Sequence, residues 1–137
     1  MSIIARSVKE PYVESASAAA KALSQSIVAD TGGGAAGAAA HPELVFGTGL
    51  FVDLELVVNE TGGNTADAVI WWKYADTGLF VEDTLLGLVP LAANTATAAI
   101  LMPATADGGF VEIRNVVLGF DGRIWVIGRG THGTAYN

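Results

Sequence analysis

The side chains that could do chemistry in this chain are mainly carboxylates, because the sequence has no cysteine and only two histidines. Acidic residues stand close together at three places: Asp53 and Glu55, Glu60 and Asp67, and Glu82 and Asp83. Paired carboxylates can catalyse glycoside hydrolysis or bind calcium. Asp53 and Glu55, however, alternate with apolar residues as the solvent face of a strand does, and no Asp-rich loop with calcium-ligand spacing is present. We therefore predict neither a catalytic pair nor a metal site.

Histidine and glycine patterns also lack the spacing of known catalytic motifs. His41 and His132 lie beside Ala- and Gly-rich sequence, and no Gly-x-Ser-x-Gly motif accompanies them. The glycines at 32–34 are not followed by the Gly-Lys-Ser/Thr of a phosphate-binding loop. The sequence therefore predicts no catalytic residue, no cofactor and a protein that is not an enzyme.

Tryptophans carry the strongest indication of binding. Adjacent residues on a strand face opposite sides, and Lys73 should reach solvent, so Trp72 is expected in the core and Trp71 on the outer face beside Lys73. The last strand repeats this pattern, with Arg123 and Trp125 outward. Outward tryptophans can anchor a subunit interface, stack on a sugar, or be covered by a loop or arm of their own chain. The pattern allows all three interpretations.

Residues 1–42 are predicted to form an arm, because the sequence from Ser15 to His41 is mostly Ala, Gly and Ser. A narrow apolar stripe predicts a short helix that begins near Ser15 and ends at the glycines 32–34. So short a helix is marginal alone and needs a partner surface, and an extended arm is the alternative. The stripe, which we expect to contact a neighbouring subunit, consists of Ala16, Ala20, Leu23 and Ile27.

Residues 43–137 are predicted to form an all-β domain, an antiparallel β-sandwich or a jelly roll. Apolar residues alternate with polar ones in short runs, and Gly, Pro, Asn and Asp separate the runs. The predicted strands, about seven or eight in number, lie near residues 50–58, 68–75, 79–81, 85–89, 96–102, 110–118 and 123–128.

Charge narrows the choice of partner. The net charge is −7 and the basic residues are scattered, so we predict no direct binding to nucleic acid. Residues 84–106 carry no charge, but Pro90 and Pro103 fit short strands better than a membrane-spanning helix, so no membrane partner is predicted.

Charged residues make up only 15% of the chain, against a usual value of about a quarter. This shortage indicates a surface covered by other subunits, although a secreted β domain rich in Thr and Gly would have a similar composition. We expect a homo-oligomer, with a trimer favoured.

The Ala/Gly-rich arm from Ser15 to His41 and the cysteine-free, charge-poor strands from Leu50 to Gly130 together resemble a bacteriophage virion structural protein. The resemblance is to small head-decoration or cement proteins, and it rests on the style of the whole chain. It implies a trimer that stabilises the capsid shell without chemistry, with a major capsid or other virion protein as partner. The implied location is the virion, assembled in the host cytoplasm. The alternative function is a carbohydrate- or receptor-binding module that uses Trp71 and Trp125 on a surface glycan.

Overall fold

A computed structural model of the chain describes residues 24–47 and 53–129. Two antiparallel sheets pack against each other, in strand orders β1-β9-β3-β7 (sheet A) and β2-β8-β4-β5 (sheet B), with β6 also paired to β4. The strands are β1 Ser24–Ser26, β2 Val45–Gly47, β3 Asp53–Asn59, β4 Ala66–Tyr74, β5 Phe80–Glu82, β6 Val89–Leu91, β7 Ile100–Leu101, β8 Ala106–Arg114 and β9 Arg123–Arg129. The helices are α1 Gly34–Ala40 and a 3-10 turn at Pro42–Leu44. The predicted all-β sandwich is confirmed, and the jelly-roll alternative stays a prediction.

Strand faces follow the alternation of apolar residues. Alternate residues of β3 and β9 are buried between the sheets, and on β9 these are Ile124, Val126 and Gly128. On β4, Trp72 is 1% exposed and its ring meets that of Phe46 edge to face, with centroids 5.8 Å apart. The predicted inward faces of these three strands are therefore confirmed.

Several predicted strands are shorter than expected because turns interrupt them. Residues 83–88 lie between β5 and β6 instead of forming a strand at 85–89, since Asp83 accepts a hydrogen bond from the Leu86 amide. In the predicted strand at 96–102, regular pairing is restricted to Ile100–Leu101, beside a single bridge from Ala96 to β3. Strand β8 ends at Arg114 because Asn115 adopts a left-handed conformation, with φ 55°.

The described part of the predicted arm belongs to the sandwich. Ser24–Ser26 is strand β1, paired with β9, where a helix through Ile27 was expected. The edge of β9 supplies hydrogen-bond partners, and Ile27, 2% exposed, fills the core together with the fully buried Leu44. The predicted helix, which was expected to continue to the glycines 32–34, is therefore wrong for residues 24–33, and the boundary at residue 42 does not separate an arm from the sandwich there. Ala16, Ala20 and Leu23 lie outside the described residues.

Helix α1 forms a third layer on the outer face of sheet B, and it begins at the glycines where the predicted helix was expected to end. Gly34 and Gly37 are buried on its inner side. A Cβ added at Gly37 would lie 2.6 Å from Cε2 of Phe110 and 2.4 Å from the carbonyl oxygen of Gly32. The small residues thus let the helix backbone approach the sheet closely. Within the described ranges, no helix has the length and apolar character needed to cross a bilayer.

Candidate interaction surface

The four predicted anchors on the strands do not form one surface. Trp71 and Lys73 lie on the outer face of sheet B, whereas Arg123 and Trp125 lie on the outer face of sheet A. The two pairs therefore point away from opposite sides of the sandwich. Ile27, the fifth predicted contact residue that the structure describes, is buried in the core and offers nothing to a partner.

Trp71 is covered by its own chain. The indole lies under Gly33 and Gly34, where a Cβ at Gly33 would be 2.8 Å from the ring. Its Nε1 donates a 2.8 Å hydrogen bond to the buried carboxylate of Glu112. The expectation that Trp71 is an open subunit anchor is therefore wrong, because the segment before α1 occupies that face. Of the three interpretations of the outward tryptophans, coverage by the chain's own arm holds for Trp71.

Glu112 and Arg114 complete a charged cluster beside Trp71. Nε of Arg114 donates to Glu112 Oε2 at 2.8 Å, and a terminal nitrogen donates to Oε1 at 3.0 Å. Glu82 lies 3.5 Å from the same guanidinium. The hydrogen bonds to Glu112 raise the pKa of Arg114 above its ordinary value. These contacts give the buried Glu112 carboxylate its partners and link β4, β5 and β8.

The other predicted anchors make modest surface contacts. Lys73 lies 3.6 Å from Asp107, and both side chains are about 40% exposed, an arrangement that contributes little to stability. Arg123 donates to the hydroxyl of Ser24 at 3.0 Å. Trp125 is half-buried, with Val57 opposite it on β3. A role for these residues toward a partner stays a prediction.

Glu60 and Asp67, which stand close together in the sequence, accept hydrogen bonds from neighbouring parts of the fold. Glu60 is 1% exposed and accepts 3.0 Å hydrogen bonds from the backbone and side-chain amides of Asn64. Burial alone would raise the pKa of Glu60, but the hydrogen bonds from Asn64 and from the glycine amides at 62 and 63 outweigh it and lower that pKa. Asp67 accepts a 2.8 Å hydrogen bond from Asn115. Within residues 24–47 and 53–129, no group of three acidic or histidine side chains is placed to hold a metal ion.

The largest set of exposed apolar side chains lies instead at one edge of sheet B. We call residues 79–88 the leucine edge. Its exposed members are Leu79, Val81, Leu85, Leu86 and Leu88. Leu85 is 99% exposed, and single exposed leucines are ordinary, but five exposed apolar side chains within ten residues make this edge a candidate interaction surface. Sequence reasoning missed this surface, although the run Leu85-Leu86-Gly87-Leu88 in an uncharged stretch indicated it.

The backbone of the leucine edge also offers hydrogen bonds. Strand β5 is the last strand of sheet B among the described residues. The amide of Tyr74 donates to the carbonyl of Leu79, and the amide of Asp83 donates to the carbonyl of Ile70, so residues 79 and 83 turn toward β4. Because alternate residues of an antiparallel strand turn opposite ways, the amides and carbonyls of Phe80 and Glu82 turn away from the sheet.

A pocket of about 280 Å³ adjoins this edge. It is lined by Trp72, Tyr74, Glu82, Asp83, Thr84, Leu85 and Pro103. Asp83 fixes its wall, because Oδ2 accepts a 2.8 Å hydrogen bond from Nε1 of Trp72 and Oδ1 accepts from the Leu86 amide. The pocket therefore combines apolar walls with an acidic rim, and it can receive one medium-sized apolar or basic side chain.

Comparisons with known proteins add no further constraint: no family model, curated protein or solved structure matches the chain. The leucine edge, its backbone and its pocket are therefore the features of the molecule that bear on function.

Proposed function

We propose that the chain is a non-enzymatic structural subunit that acts by binding other protein chains. The observation that carries the proposal is the leucine edge, where exposed apolar side chains adjoin β5, a strand whose outer edge has no partner strand among the described residues. Apolar side chains at a strand edge are a hazard for a monomer, and natural proteins usually cover or charge such edges. A partner that covers this edge removes that hazard, and the low share of charged residues points the same way.

Within that class, we propose a place in a bacteriophage particle, as a capsid decoration or cement protein that forms a homo-oligomer, with a trimer favoured. The support is the resemblance of the charge-poor, cysteine-free chain to such proteins, together with a surface suited to subunit contacts. The carbohydrate-binding alternative loses one of its two residues, because the structure covers Trp71 with its own chain.

Light scattering during size-exclusion chromatography tests association at the leucine edge. The matched variants are Leu85→Ser on this edge and Leu118→Ser in the loop after β8, since the two leucines are 99% and 98% exposed. We expect an oligomer for the unmodified chain, a shift toward monomer for Leu85→Ser and no shift for Leu118→Ser. A monomer at every concentration up to about 100 μM, well above the micromolar affinities of weak complexes, would contradict self-association.

The location in a virion is tested separately. Mass spectrometry of purified phage particles from the source culture should detect the chain at the stoichiometry of a shell component. Detection only in the particle-free fraction would overturn this part of the proposal.

A further inference from the structure

We infer that the leucine edge accepts residues 2–9 of a second copy of this chain as an added strand. The inference depends on the proposed self-association and names the contact that produces it. Binding by strand addition requires unpaired backbone groups, which give affinity, and pockets for alternate side chains, which give specificity. Both are present, as the outward backbone of Phe80 and Glu82 and as the adjoining pocket.

Charge selects the occupant. The edge and its approach carry Asp76, Glu82 and Asp83, and although Arg114 lies 3.5 Å from Glu82, the acidic side chains outnumber it, so a partner segment should be basic as well as apolar. The chain has seven basic residues, and Arg6 and Lys9 are closer together in sequence than any other two. No acidic residue lies within residues 2–9.

The same segment has the apolar residues that an added strand needs. It reads Ser-Ile-Ile-Ala-Arg-Ser-Val-Lys, and its Ile3, Ile4 and Val8 are β-branched residues that favour strands. In an extended segment alternate residues share a face, so Ile4 and Val8 lie on one side with Arg6 between them. One of these apolar side chains suits the pocket, while Arg6 suits its acidic rim.

Pairing between two leucine edges is the less favourable arrangement. Antiparallel pairing of β5 with its own copy would add the acidic residues Glu82 and Asp83 of a second chain to those already at this edge. Like charges close together across strands are destabilising. A basic segment meets the same edge with opposite charge, so the surface favours the donated segment over its own copy.

The place where residues 1–23 join the sandwich favours donation to a neighbour. They precede Ser24 in β1, an edge strand of sheet A. Gln25 of β1 hydrogen-bonds His41, which lies just before β2, so the β1 and β2 edges are on one side of the sandwich. Strand β5 ends sheet B on the other side. Residues 1–23 therefore join the sandwich on the side away from their own leucine edge, which favours the leucine edge of a neighbour. Such head-to-tail contacts give a ring when the rotation between subunits closes, and a trimer is one such ring.

A complementation experiment tests this contact. The donor variant is Arg6→Glu with Lys9→Glu, and the acceptor variant is Leu85→Ser. Each variant alone should associate about tenfold or more weakly than the unmodified chain, because a donated strand and its acceptor edge are both needed. Mixed together, they should form a 1:1 heterodimer in native mass spectrometry, since each supplies the part that the other lacks. Lys21→Glu, a single charge reversal outside the segment, should associate normally.

The outcomes separate this inference from the proposed function. If the donor variant keeps the unmodified oligomer while Leu85→Ser loses it, the leucine edge pairs with another surface and the donated strand is wrong. If each variant alone is a monomer and the mixture stays monomeric, the donated strand is also wrong. If the unmodified chain never associates, the proposed function fails first.

A synthetic peptide of residues 1–13 gives an independent measurement. It should bind the donor variant, whose edge is intact, more tightly than a scrambled peptide of the same composition, and Leu85→Ser should lose that binding. Its affinity should fall as salt rises, because charge pairs contribute to it. Equal binding of the scrambled peptide would overturn the assigned segment.

Discussion

Replacement of Gly37 by alanine tests whether the Ala- and Gly-rich segment packs on its own sandwich. The added Cβ would lie 2.4 Å from the carbonyl oxygen of Gly32 and 2.6 Å from the Phe110 ring. Side-chain carbons do not approach other heavy atoms so closely. Since the Gly32 oxygen belongs to the backbone and cannot rotate away, α1 must shift away from sheet B to accommodate the methyl group.

Two effects of opposite sign set the magnitude. Alanine favours a helix over glycine by about 1 kcal/mol. Overpacking of a buried site costs about 1–3 kcal/mol, and the contact with backbone places Gly37→Ala near the upper end, about 3 kcal/mol. The free energy of unfolding should therefore fall by about 2 kcal/mol, and the melting temperature by roughly 5–10 °C. If Gly37 did not pack against Gly32 and Phe110, helix propensity alone would act and the variant would be more stable.

The measurement is urea unfolding followed by tryptophan fluorescence, with a thermal melt by circular dichroism. Gly47→Ala is the matched control, because a Cβ at Gly47 meets no atom within 4 Å, and it should stay within about 0.5 kcal/mol of the unmodified chain. All samples are compared at one protein concentration, since association raises apparent stability. A Gly37→Ala chain at least as stable as the unmodified one would refute the packing of α1.

Three further substitutions test buried side chains: Glu60→Gln and Trp71→Phe test polar contacts, and Trp72→Ala tests the core. The hydrogen bonds from Asn64 lower the pKa of Glu60 in the fold, so the ionised carboxylate stabilises the fold fully above the unfolded pKa near 4.5, and this stabilisation is lost as pH falls through the lower folded pKa. Glu60→Gln should therefore flatten the dependence of stability on pH between about pH 5 and pH 3. Urea unfolding at several pH values measures this dependence, and an unchanged slope would contradict the expectation. Trp71→Phe should lower the free energy of unfolding by about 1.5–3 kcal/mol, because it removes the hydrogen bond to the buried Glu112 carboxylate. Trp72→Ala should lower it by about 3–5 kcal/mol, because it truncates a core side chain. Denaturant unfolding measures both variants, and an unchanged free energy for Trp71→Phe would show that its hydrogen bond is dispensable.

Alternation of apolar residues was sufficient to predict the strand faces. A strand with one face in the core must place every second residue inward, so Leu54, Val126 and Trp72 could be assigned to the core from sequence alone. The outer faces could not be interpreted in the same way. The sequence shows that Trp71 points outward, but what covers it depends on where a segment about forty residues earlier in the chain returns to the sheet.

Helix α1 could not be predicted from local preferences. Seven residues of Ala and Gly do not form a stable helix in water, and the glycines favour other conformations. Contact with Trp71 and Phe110 stabilises it, and that contact is tertiary. One signal was available: Gly34 and Gly37 are three residues apart, so in a helix they share a face that can approach a flat surface closely.

The leucine edge was missed because strand order is a property of the whole fold. Leu85 was assigned to a strand, where alternation would bury one of each pair of neighbours. Asp83 instead accepts the Leu86 amide, and Gly87 has φ 67°, so the chain turns here and the leucines lie at the surface. The sequence also does not show that β5 is the last strand of sheet B in the part of the chain that the structure describes, where the outer backbone groups of Phe80 and Glu82 have no partner strand.

Acidic side chains at the leucine edge are compatible both with an exposed apolar strand in the free chain and with the proposed assembly. Strand β5 is three residues long, and Glu82 and Asp83 lie at its end. Short length and charge are both devices that prevent edge strands from pairing with their own copies. Neither device excludes a basic segment, whose charge turns the same carboxylates from a barrier into an attraction. The features that protect the free subunit therefore also select its partner, and the proposed donated strand requires no change in the fold of the acceptor.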